Sequence, residues 1–397
     1  MTRIIKRFLA LATVILTASM AVGTSAQLVV DEPTDTVRSQ RGKGFFGKVL
    51  RYFDDSNKVK DPTKFDFSVV GGPHYSKEVG FGLGILASGN YHTDVHTAPS
   101  NVSLFFDITT TGSYTIGVTG DHIRPNDMQR LTYEIYFNSV PTYFWGIGFD
   151  NGNTAANKTK YLEKRVDMDI KYRWRLGDNI FIGPTLRFYY AAARKIHEPA
   201  EGEPGGVALW QGERLTTHSY GLGALVAYDT RDNLTAPTRG WHLELTQRFF
   251  PRFLWNRMSF TSTEFTASHY EKVWKGGILA MRLHGKFNYW GTAPWSMLPT
   301  VGGRSDLRGY YKGRYRDNCE ADFTVELRQK VWRRNGIAIW GGVGEVFPSF
   351  DKLSGKKLLP NYGIGYRWEF KKHVNLRIDL GFGRKQSNFL FSINEAF

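Results

Sequence analysis

Three histidines, His122, His242 and His284, lie in strand-like segments close to hydroxyl side chains. A histidine beside a hydroxyl could act as the general base of a nucleophilic catalyst. No recognisable nucleophile accompanies them, and the sequence lacks the Gly-x-Ser-x-Gly turn that presents a catalytic serine. We therefore predict no catalytic residues and no enzyme, and we interpret the three histidines as structural hydrogen-bonding groups.

The sequence also shows no residue spacing that is typical of a metal or cofactor site. No grouping of His, Cys or carboxylate residues follows the intervals of a metal site, so we expect no metal and no cofactor. The single cysteine, Cys319, cannot form an internal disulfide. The net charge of +15 is spread along the chain. Because the basic residues are not gathered on one helix or tail, we expect no nucleic acid as partner.

The start of the chain reads as an export signal. Basic residues precede an apolar stretch at 8–16, and small residues at 24–26 form a cleavage site. We predict a signal peptide over 1–26; a retained membrane helix is the alternative, although the stretch is short for a span. No later run of about eighteen apolar residues occurs, which excludes a helical membrane protein.

Residues 27–77 are predicted to form a short periplasmic arm. The apolar residues of 45–53 recur at helical spacing, which indicates an amphipathic helix at the lipid surface or across a barrel mouth. A poorly ordered arm is the alternative. Residues 65–75 read either as an extended lead-in or as an extra strand.

From residue 78 onward the dominant pattern alternates apolar and polar residues. It is clearest at 166–176, 321–327, 364–370 and 374–382, and in the second of these it turns Glu326 away from the apolar face. Runs of about ten residues suit a tilted strand that crosses a bilayer, since soluble strands are about half as long. We predict an all-β fold, a transmembrane antiparallel β-barrel of about 16 strands over 78–397.

The predicted strands cover residues 78–91, 101–110, 113–122, 128–138, 142–150, 159–175, 179–190, 217–230, 240–250, 259–273, 276–290, 319–332, 335–347, 359–370, 373–383 and 388–397. Tight links are predicted near residues 111, 139, 176, 274, 333 and 371. Longer links are predicted near 92–100, 151–158, 191–216, 251–258, 291–318 and 348–358. Short turns on one rim and long loops on the other are typical of bacterial outer-membrane barrels. An even strand count then puts both termini in the periplasm.

The chain ends in an aromatic strand. Phe389, Phe391, Ile393 and the terminal Phe397 are predicted to share one face, which only Glu395 interrupts. Such an ending resembles the signal that outer-membrane assembly machinery recognises. A chain that simply stops in a strand is the alternative.

A turn motif lies between two predicted strands. Asp229, Asp232 and Asn233 can bond nearby backbone to form the turn, Pro237 fixes a bend, and Gly240 permits a positive φ. The ordered string, Tyr228-Asp229-Thr230-Arg231-Asp232-Asn233 followed by Pro237-Thr238-Arg239-Gly240, resembles a periplasmic turn of the bacterial surface antigen superfamily, which includes BamA and TamA.

A second string, Gly302-Gly303-Arg304-Ser305-Asp306-Leu307-Arg308-Gly309-Tyr310, is similar to the loop motif of the same superfamily. The resemblance implies that Leu307, Arg308, Gly309 and Tyr310 fold back into the lumen and that Arg308 pairs with Glu326. An ordinary basic surface loop is the alternative. The family often supplies a further aspartate where this chain has Gly342, so we expect Arg308 to have one carboxylate partner rather than two.

Three hypotheses of function follow from the resemblance and the residues. The family implies a barrel that assembles or translocates membrane proteins or lipids, here of a short branch without POTRA domains, because the residues before the first strand are too few to hold one. A passive or gated solute channel is the second hypothesis. A lipid-acting membrane enzyme is the third, and it lacks a nucleophile. Expected partners are outer-membrane lipids and lipopolysaccharide, the machinery that inserts the barrel, and either a periplasmic protein or a second copy of the chain.

Overall fold

The protein is described here by a computed structural model that covers residues 65–76, 80–94, 97–371 and 374–397. The predicted signal peptide and the predicted helix within 45–53 lie outside these residues. Among the described residues, no helix combines the length and the apolar character needed to cross a membrane.

The described residues contain sixteen strands, which form one sheet. They are β1 (Asp66–Ser76), β2 (Gly80–Tyr91), β3 (Ser100–Thr109), β4 (Tyr114–Ile123), β5 (Gln129–Phe144), β6 (Thr159–Gly177), β7 (Ile180–Arg194), β8 (Thr216–Asp229), β9 (Gly240–Phe250), β10 (Phe260–Trp274), β11 (Gly277–Tyr289), β12 (Cys319–Trp332), β13 (Asn335–Phe347), β14 (Leu359–Lys371), β15 (Val374–Gly383) and β16 (Gln386–Ile393). Each pairs antiparallel with its neighbours in chain order, and within the described part of the chain no ladder joins β1 to β16. The all-β prediction of about sixteen strands is confirmed.

In the described ranges, the helical segments are short and lie between strands. The α-helix found there, α1, spans Phe149–Asn153. The 3₁₀ turns are Pro125–Asp127, Ala155–Asn157, Gly206–Trp210, Arg252–Leu254, Trp295–Met297 and Phe350–Lys352.

The two faces of the sheet have opposite chemistry. Ile339 on β13 and Ile364 on β14 face outward and are 50% and 53% exposed. Glu326 on β12 and Asp379 on β15 face inward and are 0% exposed. A protein dissolved in water has the reverse arrangement, whereas a strand that meets lipid on one side and a polar interior on the other requires this one. The alternation read from the sequence is therefore present in the structure.

The predicted strands differ from the structure in two places. Two predicted strands are one strand, and one strand was not counted, so the total is still sixteen. The segments 128–138 and 142–150 belong to one strand, β5, and the predicted tight link near 139 does not exist. β5 continues past Ser139, the residue that pairs with the first residue of β4, so Pro141 lies where the strand is paired on one side only. A missing N–H is tolerated at such an edge. The sheet also begins earlier than residue 78, because the extra strand considered for 65–75 exists as β1.

Because the sheet begins with β1 and β5 is a single strand, two links near the start of the sheet lie on the opposite rims from those predicted. The chain termini share a rim with the short links at 178–179, 275–276 and 333–334. The longer link 92–99 lies on that same rim, whereas the tight link 110–113 lies on the rim of the long loops. In the two-residue turns, Asn179, Gly276 and Arg333 have positive φ, as hairpins of this length require.

Candidate functional site: a loop latched inside the barrel

The longest link between two described strands, residues 290–318 between β11 and β12, folds inward; we call it the inward loop. Its apolar residues Val301, Leu307, Tyr310 and Tyr315 form a buried cluster with Phe149, Val346 and Leu359, which come from α1, β13 and β14. Tyr310 donates a hydrogen bond through its hydroxyl to the Pro360 carbonyl, 2.7 Å away, and accepts one from the Arg384 amide. The structure thus places the 302–310 string inside the sheet.

Glycines on the wall make room for this loop. A Cβ on Gly381 would lie 2.8 Å from the Gly309 nitrogen, and one on Gly383 would lie 2.8 Å from the Tyr310 ring. A Cβ on Gly309 itself would lie 2.3 Å from the Phe382 carbonyl carbon. Two backbones approach so closely here that neither can carry a side chain. Gly309 is therefore required because the loop backbone lies so close to β15, and Gly381 and Gly383 form part of a trough in the wall that neither sequence motif indicated.

Arg308 lies at the centre of the buried contact. Its Nη2 donates to Glu326 Oε2, which is the pairing that the resemblance implied. Its Nη1 donates to Asp379 Oδ2 at 2.7 Å, and its guanidinium stacks 3.7 Å from the Trp340 ring centroid. The expectation of a single carboxylate partner is wrong, because β15 supplies the second one. Gly342 could not supply it, since a Cβ there would lie 2.7 Å from the Phe323 carbonyl oxygen.

These contacts belong to a closed ring of alternating charges, which we call the ion-pair ring. Its members in order are Arg308, Glu326, Arg328, Glu395, Arg367 and Asp379. Beyond Arg308, the contacts are 2.6 Å for Glu326–Arg328, 3.5 Å for Arg328–Glu395, 2.9 Å for Glu395–Arg367 and 2.6 Å for Arg367–Asp379. All six side chains are buried. Three cations balance three anions, which offsets part of the cost of removing each charge from water.

Glu395 brings the end of the chain into this ring. After β16 the backbone turns at Asn394, where φ is +66°. Residues 394–397, the C-terminal tail, lie inside the sheet, where Glu395 pairs with Arg367 and the Phe397 ring contacts Arg328. The Phe397 carbonyl accepts a hydrogen bond from Arg328 Nη2 at 2.9 Å. Phe389 and Phe391 are 67% and 55% exposed on the outer face. The prediction that Phe397 shares this face is therefore wrong, because the turn at Asn394 redirects it.

The turn motif at the β8–β9 link is well ordered by its own side chains. Arg231 pairs with both oxygens of Asp229 at 2.9 Å, and Asp232 accepts hydrogen bonds from the backbone of Thr238 and Arg239. Partial burial disfavours the charged carboxylate, but a hydrogen bond from the Thr238 hydroxyl, together with these two backbone hydrogen bonds, holds the pKa of Asp232 below its ordinary value. The expected backbone contacts of the aspartates and Asn233 are thus present.

Gly240 and Pro237 complete this turn. Gly240 has φ +106° as its position requires, and a Cβ there would lie 2.2 Å from the Thr230 carbonyl oxygen. Pro237 is buried. The link also contacts the C-terminal tail, since the Glu395 amide donates to the Thr235 carbonyl at 3.3 Å. The two sequence motifs therefore meet through the tail, a connection that neither string revealed.

Some members of the site could have been found from the sequence. Arg367 and Asp379 occupy the polar face of alternating segments, so their inward direction was readable. Their partnership with Arg308 was not, because Asp379 lies 71 residues further along the chain. Glu395 was visible only as a break in an apolar pattern. Of the three histidines, only His284 belongs to a group of metal-ligating side chains among the described residues, with Asp306 and Asp322.

A single consecutive antiparallel sheet with apolar residues outside, charged residues inside and a loop held in its interior defines a membrane β-barrel. Residues 87–397 match the Omp85 superfamily domain, so the chain belongs to the Omp85 superfamily and is an outer-membrane β-barrel. The resemblance read from the two motifs is confirmed, and membership agrees with the prediction that the chain is not an enzyme.

Solved structures support the fold. BamA from Haemophilus ducreyi lacking POTRA domains 1-3 matches with a TM-score of 0.51 at 11% identity, over 84% of this chain and 70% of that one. CdiB from Acinetobacter baumannii (TM-score 0.51, 11% identity) and CdiB from Escherichia coli (TM-score 0.52, 10% identity) each match over 84% of this chain. The chain spans 60% and 62% of those two structures. No curated protein sequence matches the chain.

Proposed function

We propose that this barrel assembles or translocates membrane proteins or lipids at the outer membrane. The inward loop acts as a latch, by which we mean that Arg308 holds it against the wall until it is displaced. The observation that carries the proposal is the ion-pair ring, because it joins the loop through Arg308 to the C-terminal tail through Glu395. Displacement of the loop and release of the end of β16 are then coupled events. A barrel that only filters solutes needs a constriction but has no use for such a connection.

The proposed orientation puts both termini in the periplasm, and the short links on their rim support it. The proposed partners are outer-membrane lipids, lipopolysaccharide above the long loops, and either a periplasmic protein or a second copy of the chain. The apolar face formed by Phe389 and Phe391, which are exposed, and Ile393, which is half-buried, is proposed as the signal that the insertion machinery reads. Phe397 would contribute only before the tail turns inward.

Depletion of the protein in its own bacterium tests the proposal. We expect a several-fold loss of some outer-membrane proteins, or of surface lipopolysaccharide, before growth slows. Quantitative proteomics of isolated outer membranes measures the first, and labelling of intact cells measures the second. Re-expression of the wild-type barrel should restore both. Unchanged levels of both would contradict an assembly role.

A gated solute channel is the second candidate, and the charged inner wall formed by β6, β9 and β10 favours it. Arg248 contacts Asp169 at 3.0 Å and Glu264 at 3.1 Å, while Glu244 contacts Lys171 at 2.6 Å and Arg173 at 2.7 Å. Such rows of both signs would select solutes by charge. Unchanged membrane composition together with altered solute uptake in the depleted cells would support the channel.

A further inference from the structure

A second cluster of ionisable side chains lies beside the ion-pair ring and has no part in it. His284 on β11 and Asp322 on β12 are directly opposite each other, and Glu320 lies two residues before Asp322 on the same face. Asp306 reaches this face from the inward loop. One ligand atom each from His284, Asp306 and Asp322 lies within 4.8 Å of the other two.

The hydrogen bonds within this cluster leave several oxygens without a donor. His284 Nδ1 is 2.9 Å from Glu320 Oε1 and 3.1 Å from Asp322 Oδ2. The other oxygens, Glu320 Oε2 and Asp322 Oδ1, are buried and receive no hydrogen bond. Arg282 comes no nearer to Asp322 than 3.8 Å. A buried carboxylate oxygen that lacks a donor is costly, so the cluster has acceptor capacity that its neighbours do not satisfy.

We propose that His284, Asp306 and Asp322 bind a divalent transition-metal ion of the Zn²⁺ type, with Glu320 as an additional ligand. One imidazole and two or three carboxylates form a donor set that suits zinc and its neighbours better than the hard cations, which prefer oxygen alone. Binding replaces the proton on His284 Nδ1 with the metal. This inference goes beyond the proposed function and does not depend on it.

The proposed ligands come from both the wall and the inward loop. His284, Asp322 and Glu320 come from adjacent wall strands, whereas Asp306 is two residues before Arg308 in the loop. A bound ion would therefore fasten the loop to β11 and β12, in addition to the contacts that Arg308 makes with Glu326 on β12 and Asp379 on β15. Arg282 Nη1 holds Asp306 Oδ1 at 2.7 Å and so positions the loop carboxylate. The Asp306 side chain is 30% exposed, which leaves a path for an ion from the lumen.

Cobalt provides a direct probe, because Co²⁺ replaces Zn²⁺ and absorbs visible light when it is bound to nitrogen and oxygen ligands. The full chain, folded in detergent and stripped with a chelator, is titrated with Co²⁺ and then with Zn²⁺. We expect one Co²⁺ per barrel with a visible spectrum that Zn²⁺ abolishes. Failure of the stripped wild-type protein to give this spectrum would overturn the site.

Matched variants identify the ligands. His284→Gln should abolish the visible spectrum, and Asp306→Asn should weaken the affinity at least 10-fold, in the range that loss of a metal-site partner commonly causes. His218→Gln is the control, because His218 is exposed and lies outside the cluster. It should bind Co²⁺ as the wild type does.

Each variant is first shown to be folded by its unheated migration on a detergent gel. Because Asp306 lies in a loop, its variant remains informative even if His284→Gln does not fold. Equal affinity of Asp306→Asn and wild type would show that the loop does not take part. A spectrum in folded His284→Gln would show that the ion binds elsewhere.

Discussion

At the scale of single residues, Arg308 is the group on which the latch depends. It is the common partner of Glu326 and Asp379, both fully buried. We predict that Arg308→Ala destabilises the barrel by about 3–5 kcal/mol, the usual cost of breaking a buried ion pair, because two carboxylates lose a cation. The temperature at which the folded band disappears on a detergent gel, together with urea unfolding in detergent, measures the effect.

Two variants sharpen this test. Arg308→Lys should fall between Ala and wild type, since an ammonium group keeps the charge but lacks the planar fork that reaches both carboxylates. Lys352→Ala removes an exposed partner of Asp351 and should change stability by less than about 1 kcal/mol. If Arg308→Ala unfolds at the wild-type temperature, Arg308 does not latch the loop.

The sequence predicted one of the two carboxylate partners of Arg308. The motif led to Arg308, and alternation turned Glu326 inward. The second carboxylate, Asp379, was not predicted because the family pattern places this carboxylate at the position of Gly342, where the wall has no room for a side chain. Glu395 escaped because one backbone turn at Asn394 reverses the direction that alternation assigns to it. Contacts made between distant strands through a loop leave no local periodicity to read.

At the scale of elements, the glycine trough on β15 determines how close the loop can lie to the wall. We predict that Gly381→Ala pushes the loop outward, because the added Cβ would lie 2.8–2.9 Å from backbone atoms of Arg308 and Gly309, which cannot move independently. Limited trypsin digestion of the folded barrel should then cleave in the loop at least several-fold faster than in wild type. Arg304 and Arg308 offer the cleavage sites.

Gly341→Ala on β13 is the matched control. The nearest atom to its Cβ would be 4.0 Å away, so the loop should stay protected. Equal protection of the loop in Gly381→Ala and Gly341→Ala would show that the trough does not hold it.

The strands themselves were largely readable from sequence, and the exceptions have physical causes. Period-two alternation located every strand from β6 to β15 to within a few residues, since each must present one face to lipid. The sequence predicts a tight link near residue 139, where Asn138, Ser139 and Pro141 are all common turn residues, but pairing with β6 continues through them. In β1, glycines and a proline weaken the pattern, and only its ladder with β2 identifies it as a strand.

At the scale of the whole molecule, the ring connects parts of the chain that are far apart in sequence: the inward loop, three wall strands and the C-terminal tail. Glu395→Gln removes one of three anions and leaves Arg328 and Arg367 with a shared excess of positive charge. We predict that the tail is released and that the loop, still held by Arg308, fluctuates more. In planar bilayers the variant should show more frequent conductance steps than wild type.

The comparison with Arg308→Ala separates a connected ring from two independent contacts. In a connected ring, each single variant loosens both the tail and the loop, and the double variant is much less than additive, because the second change acts on a network that is already open. Asp351→Asn, in an exposed pair, should leave the conductance unchanged. If Glu395→Gln leaves the conductance quiet while Arg308→Ala does not, the tail is only packed beside the latch. The coupling between loop and last strand, on which the assembly role depends, would then be absent.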